Sequence, residues 1–297
     1  MCLRCGDIKK THVVRKFAVD DGREDEPNAE AVAKAEEDAR DREKEMAAAV
    51  IAAILWLRGA VKGAPPYAVL PDDIWRGFND QLRKALIPGF AIHDLAANAV
   101  MTGIGTFDPL DPATINRQAA YRDTFIQEFG GETRKAFEAA NAWGIKKELE
   151  SPIIKGLLVA LAGLNTRQTG AALTQWASRQ ASGATEKSLA KMLEATAKKL
   201  MKQRAKTTAE SEGWRLLNLG QWSAMDQEER KGAIVIKDWF VTEDERLCER
   251  CAAIPGMNPN GVPIGRPFNT PNGPLMFSPL HTSCRCKTLY WIKRGSF

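Results

Sequence analysis

Between positions 28 and 57 the chain has neither proline nor glycine and is dominated by Ala, Glu, Lys and Leu, a pattern that predicts one long helix entered at Pro27. Its first part is a solvated, mostly acidic face from Glu24 to Glu45, and its second part, Met46 to Leu57, is uncharged and reads as a buried face. Gly63-Ala-Pro-Pro66 closes this stretch, because adjacent prolines remove backbone donors and disfavour helix before them. From Asp72 apolar residues recur at spacings of three and four (Ile74, Trp75, Phe78, Leu82, Leu86), as on an amphipathic helix, until Pro88-Gly89 interrupts. Asp111-Pro112 and Ser151-Pro152 each put a capping residue before a proline at the first helical position, which predicts helices over 112–129 and 152–164. A last long helical stretch runs from Thr185 to Leu219, with Leu189, Leu193 and Leu200 on one side and Lys187, Lys191, Lys198, Lys202 and Lys206 on the other.

After Gly232 the pattern changes. Ala233-Ile-Val-Ile236 and Trp239-Phe-Val241 read as short strands, and Pro and Gly crowd the positions from 255 to 279. The expected fold is mainly α: an N-terminal tail (1–26), a helical body (27–232) and a small, loop-rich α+β module (233–297). No solenoid-length repeat is present.

Composition sharpens this picture in three places. No basic segment leads into an apolar stretch and a cleavage site at the start of the chain, so no secretory signal is expected. The uncharged run Met46–Leu57 is shorter than the roughly 20 apolar residues that cross a bilayer, so no membrane span is expected either. A formal net charge of +5 is too small to argue for nucleic acid, and what matters is its distribution: seven basic residues against one acidic residue lie between Lys187 and Lys206. Such a run suits phosphate contact, and it equally suits a solvated face over a core.

Six cysteines without an export signal are expected to be reduced or metal-bound. Cys248-Glu-Arg-Cys251 and the later His281-Thr-Ser-Cys284-Arg-Cys286 place four of them, and one of only three histidines, in one window. Zinc takes four tetrahedral thiolate and imidazole ligands, and a C-x2-C knuckle converges two thiolates on one point. Cys248, Cys251, His281 and Cys284 are the favoured set with Cys286 as alternate, because C-x-C in an extended strand points its side chains to opposite faces. The Asn-, Gly- and Pro-rich loop between the two halves has little apolar material, so a metal would provide the closure that burial cannot. A structural Zn2+ is expected rather than a hydrolytic one: thiolate-rich ligands close the shell, and no HExxH, G-x4-G-K-[ST] or G-x-S-x-G pattern occurs, although Glu243, Asp244, Glu245 and Glu249 are near enough in sequence to supply a base.

Other candidates carry less. Cys2 and Cys5 form a second knuckle with His12 nearby, half of a second metal site or an unmetallated end. His93 lies in an apolar helical stretch and reads as a packed histidine. The eight tryptophans read as packing residues rather than base-stacking platforms. Asp244 and Arg246 could pair just before the first knuckle.

The segment Trp239-Phe-Val-Thr242-Glu-Asp244-Glu-Arg246-Leu-Cys248-Glu-Arg-Cys251, followed by Pro279-Leu-His281-Thr-Ser-Cys284-Arg285-Cys286, resembles the phage head-morphogenesis family, the Mu protein F-like minor head proteins. The resemblance covers roughly the last 100 residues. Upstream, Gln203 to Glu210 is similar to the family's A-R-T-E helix, with Lys206 and Thr208 where arginine and glutamate are expected. The resemblance implies a structural virion protein of a tailed bacteriophage, without enzymatic activity. It would be made in the host cytoplasm and located in the phage head near the portal vertex, acting in head assembly and in DNA packaging or ejection. Its partners would be the portal protein, the major capsid or scaffold protein, and packaged DNA. No appended enzymatic domain is expected after Phe297. A zinc-containing nucleic-acid-binding protein is the alternative, and a metallohydrolase the third reading.

Overall fold

The computed structural model describes residues 29–65, 69–101, 105–241, 247–281, 284 and 286–293. The fold is mainly helical with one small sheet. Seven helices come first: α1 (Ala29–Gly63), α2 (Asp72–Ala85), α3 (Ile87–Met101), α4 (Pro112–Lys146), α5 (Ser151–Leu161), α6 (Thr166–Ala181) and α7 (Glu186–Arg230). Then follow β1 (Ile234–Phe240), α8 (Glu249–Met257), β2 (Val262–Pro263) and β3 (Lys287–Lys293).

α2 spends its apolar stripe as the spacing predicts, burying Trp75, Phe78, Leu82 and Ala85. Pro88-Gly89 does not interrupt helix so much as begin one, since Pro88 stands in the first turn of α3, where its missing N–H costs nothing. Asp111 caps α4 by accepting from the Thr114 N–H at 2.9 Å, with Pro112 behind it. α4 then runs past the predicted end at 129 to Lys146, straight through Gly130-Gly131. A Cβ on Gly130 would stand 2.6 Å from Asn79 Oδ1, so this glycine serves the approach of α2 rather than a turn. α6, opened by a capping box on Asn165 and Gln168, had not been anticipated.

Part of Ala33–Gly63 in α1 is long and apolar enough, by length and composition, to cross a membrane, unlike the shorter run Met46–Leu57 on which the sequence argument rested. In this fold one face of α1, including Val50, Ile54 and Leu57, is fully buried in the main core together with α2, α4, α5 and α7. At the C-terminus of α5 two arginines meet unsatisfied carbonyls: Arg58 donates to Ala160 and Ala162, and the buried Arg204 donates to Gly163 O at 2.7 Å and to Thr133 Oγ1 at 2.9 Å. Positive charge there complements the helix dipole and ties α1, α4 and α7 to one point.

β1 is one continuous central strand where two short ones were expected, antiparallel to β2 on one side and β3 on the other. Its alternation turns Val235, Lys237 and Trp239 inward. A second core, in which Val100, Met101 and Met225 meet Val235, Tyr290 and Ile292, seats the sheet against α3 and the end of α7. Three further contacts fasten this joint: Trp222 Nε1 donates to Ile264 O at 3.2 Å, Asn218 Oδ1 accepts from Ser278 Oγ at 2.9 Å, and Lys287 pairs with Glu36 of α1.

Candidate metal centre

Cys248 is the N-cap of α8 and Cys251 lies in its first turn, so the knuckle straddles a helix start whose free N–H groups favour a thiolate. The other donors arrive from the opposite direction. Ser278, held by Thr288 and by Asn218 of α7, leads into Pro279 and His281, and the Cys284 N–H closes a turn on His281 O at 3.1 Å before β3 begins. Cys248 Sγ lies 3.2 Å from His281 Nε2, Cys251 Sγ lies 3.4 Å from the same nitrogen, and Cys251 Sγ lies 3.6 Å from Cys284 Sγ.

All five sequence candidates are therefore brought together, as two triads that share Cys251: Cys248, Cys251 and His281, and Cys251, Cys284 and Cys286. Cys284 and Cys286 do not splay apart as the strand argument expected. Cys284 sits in the turn ahead of β3, where strand alternation does not yet apply.

The thiols are electrostatically unequal. Burial raises the Cys251 thiol, as do its role as donor to Cys248 and the charge at Cys284, and it is pushed up to about 12. Cys284 is held down at about 5, first by the hydrogen bond from Cys286 and, against the opposing effect of burial, by backbone N–H donors. Cys286 is raised, as donor to Cys284 and by burial. Cys248 is partly buried, which would raise it, but the Cys251 backbone N–H and His281 bring it down on balance.

These donors fit zinc. A tetrahedral ion with bonds of 2.0–2.3 Å to nitrogen and sulfur needs donor–donor edges of about 3.5–3.8 Å, and the three separations above lie close to that range. Cys251, Cys284 and Cys286 are at most 4% exposed, in a small cluster with Trp239, Ile254 and Phe268. The Trp239 indole nitrogen, in the same cluster as these thiols, is buried without a hydrogen-bond partner among the described residues.

Residues 174–289 match the family described as phage Mu protein F like protein. This region is similar to that family, which supports the resemblance carried by the sequence motifs. The Mu F-like region takes in the end of α6, all of α7, the sheet as far as Leu289, and every one of the five donors. No curated protein and no solved structure matches the chain.

The remaining sequence candidates fall in varied places. Cys2, Cys5 and His12, like Glu243, Asp244, Glu245 and Arg246, lie outside the described residues. Glu249 is exposed. Lys187, Lys191, Lys198, Lys202 and Lys206 all stand exposed along α7, and Lys206 lies 3.7 Å from Glu210. His93 is completely buried, its Nε2 3.3 Å from Ser223 Oγ and its Nδ1 2.9 Å from Asp94 Oδ1, and because Ser223 is buried as well this chain pins α3 to α7 with no surface open to a substrate. Trp56 departs from the packing expectation: it is 39% exposed and lies over Gly77.

Within the A-R-T-E-like helix the buried charges are Arg204 and Glu212, the latter accepting from Tyr121 and paired with Arg215 at 3.0 Å. Neither residue is singled out by the sequence; the one available signal is for Arg204, which falls on the leucine-bearing side of the helix rather than on the lysine side.

Proposed function

We propose that this protein is a structural minor head protein of a tailed phage, built into the head near the portal vertex, where it acts in head assembly and in DNA packaging or ejection. The observation that carries the reading is the coincidence of the Mu F-like match with the convergence of Cys248, Cys251, His281, Cys284 and Cys286 inside it. In this reading a structural zinc ion clamps the loop between α8 and β3 and so fixes a docking surface for the portal protein and for the major capsid or scaffold protein. Zinc bound by a thiolate-rich set would supply cross-linking and charge neutralisation, and the chain's own residues do the positioning: Asn218 of α7 holds Ser278 on the helical body, Lys237 of β1 holds Met276 on the sheet, and α8 presents the first knuckle. The metal holds shape and turns over no substrate.

The test is assembly. Procapsids made with Cys251→Ser protein should lack the minor head protein while the portal and shell still form, whereas normal incorporation of that variant would contradict the reading.

A second reading, contact with packaged DNA, is favoured by the row of exposed lysines on α7. From Lys187 to Lys206 the row extends about 28 Å at 1.5 Å per residue, long enough to follow several phosphates. It predicts DNA binding by the purified protein that weakens steeply with salt, and a shallower salt slope when Lys191, Lys198 and Lys202 are changed to Gln. Binding that is absent, or unmoved by those changes, would remove it.

A further inference from the structure

We propose that the Trp239 indole N–H donates a hydrogen bond to the thiolate of Cys286 in the metal-loaded site, so that Cys286 is a metal ligand completing a fixed face with Cys251 and Cys284, while Cys248 and His281 compete for the fourth place. This rests on the zinc reading and goes beyond it, since it assigns a positioning residue and ranks five donors for four places.

Strand register places the two side chains together. Trp239 of β1 pairs with Thr288 of β3, and the alternation Cys286, Thr288, Tyr290 keeps Cys286 on the same buried face, diagonal to Trp239 and within the reach of an aromatic side chain. Trp239 is held edge-on to Phe268, with ring centroids 5.3 Å apart at 89°. Its nitrogen can only donate, is buried, and has no hydrogen-bond partner among the described residues. A buried donor left unmade costs about 1–3 kcal/mol, and a thiolate at Cys286 is an acceptor that removes that cost. Cys248 and His281, by contrast, are only partly buried, lie 3.2 Å apart and both group with Cys251, so they are the two donors left to compete for the last place.

The experiment uses the full chain loaded with cobalt(II), and with cadmium-113 for magnetic resonance. Trp239→Phe keeps the ring and removes the N–H. It should retain cobalt, yield it to a chelator with about 10- to 100-fold weaker affinity, and move the thiolate-to-cobalt charge-transfer band to longer wavelength, because a thiolate that loses its hydrogen bond gives up electron density more readily. Cys286→Ser should lose part of that band's intensity, and His281→Ala should not. In the unmodified protein the Trp239 indole proton should couple to cadmium-113, a readout that does not depend on any variant folding. An unshifted band with unchanged affinity in Trp239→Phe, an undiminished band in Cys286→Ser, or an uncoupled indole proton would overturn the proposal while leaving the zinc reading intact. An unmodified protein that takes up neither metal would overturn both.

Discussion

Gly220 of α7 and His93 of α3 meet backbone to backbone: a Cβ placed on Gly220 would stand 2.1 Å from the His93 carbonyl oxygen. No rotamer change relieves that contact, because the obstacle is main chain. Gly220→Ala should therefore push α3 from α7, destabilising the fold by at least the ~1–3 kcal/mol typical of overpacked cores. The check is the urea midpoint of the variant against that of Gly59→Ala, whose added methyl meets nothing within 4 Å and should leave stability unchanged or raised.

Glu43 of α1 faces the same helix further along. Burial, reinforced by the negative charge of Glu210, raises its carboxyl to about 7. The folded state therefore holds this proton more tightly than the unfolded chain between about pH 4.5 and 7, and stability falls as pH rises through that window. Glu43→Gln should raise the melting temperature at pH 8 and leave it nearly unchanged at pH 4.5. Equal effects at both values would contradict this assignment.

Lys237 lies inside the sheet's buried face, its Nζ donating to Met276 O and lying 5.0 Å from the centre of the Phe268 ring. Burial lowers its ammonium to about 8, against a smaller opposing effect of Glu229. Between about pH 8 and the ordinary lysine value near 10.4 the unfolded chain binds the extra proton, so stability contributed at this site rises with pH. Measured by urea midpoints, the unmodified protein should gain on Lys237→Met as pH goes from 8 to 10, and a constant difference would contradict the assignment.

Local punctuation and period were legible in the sequence: the Asp111 cap and the stripe of α2 are short-range signals, and the structure realises both. What the sequence hid was long-range. The expected helices stop at 129 and 219, just before Gly130 and Gly220, yet α4 and α7 continue through both because each glycine accommodates a neighbour, Asn79 and His93 respectively. The candidate site was legible as a set of five donors, since residue type and spacing carry that much. Their grouping was not, because the convergence of Cys286 on Cys251 depends on the turn from His281 to Cys284 and on how β3 registers with β1. Arg204 escaped notice inside a run of lysines. Its place on the leucine side of α7 was a weak signal, and the fold shows what it means: a guanidinium buried against α5, unlike the ammonium groups in water.

The central claim is that a metal ion closes the cluster around Cys251, and elemental analysis of purified protein beside Cys251→Ser and Cys284→Ser tests it most directly. The account predicts about one zinc per chain in the unmodified protein, lost in both variants together with protease resistance of the segment from α8 to β3. Protein purified without chelator that carries no metal, with that segment still protected, would contradict it.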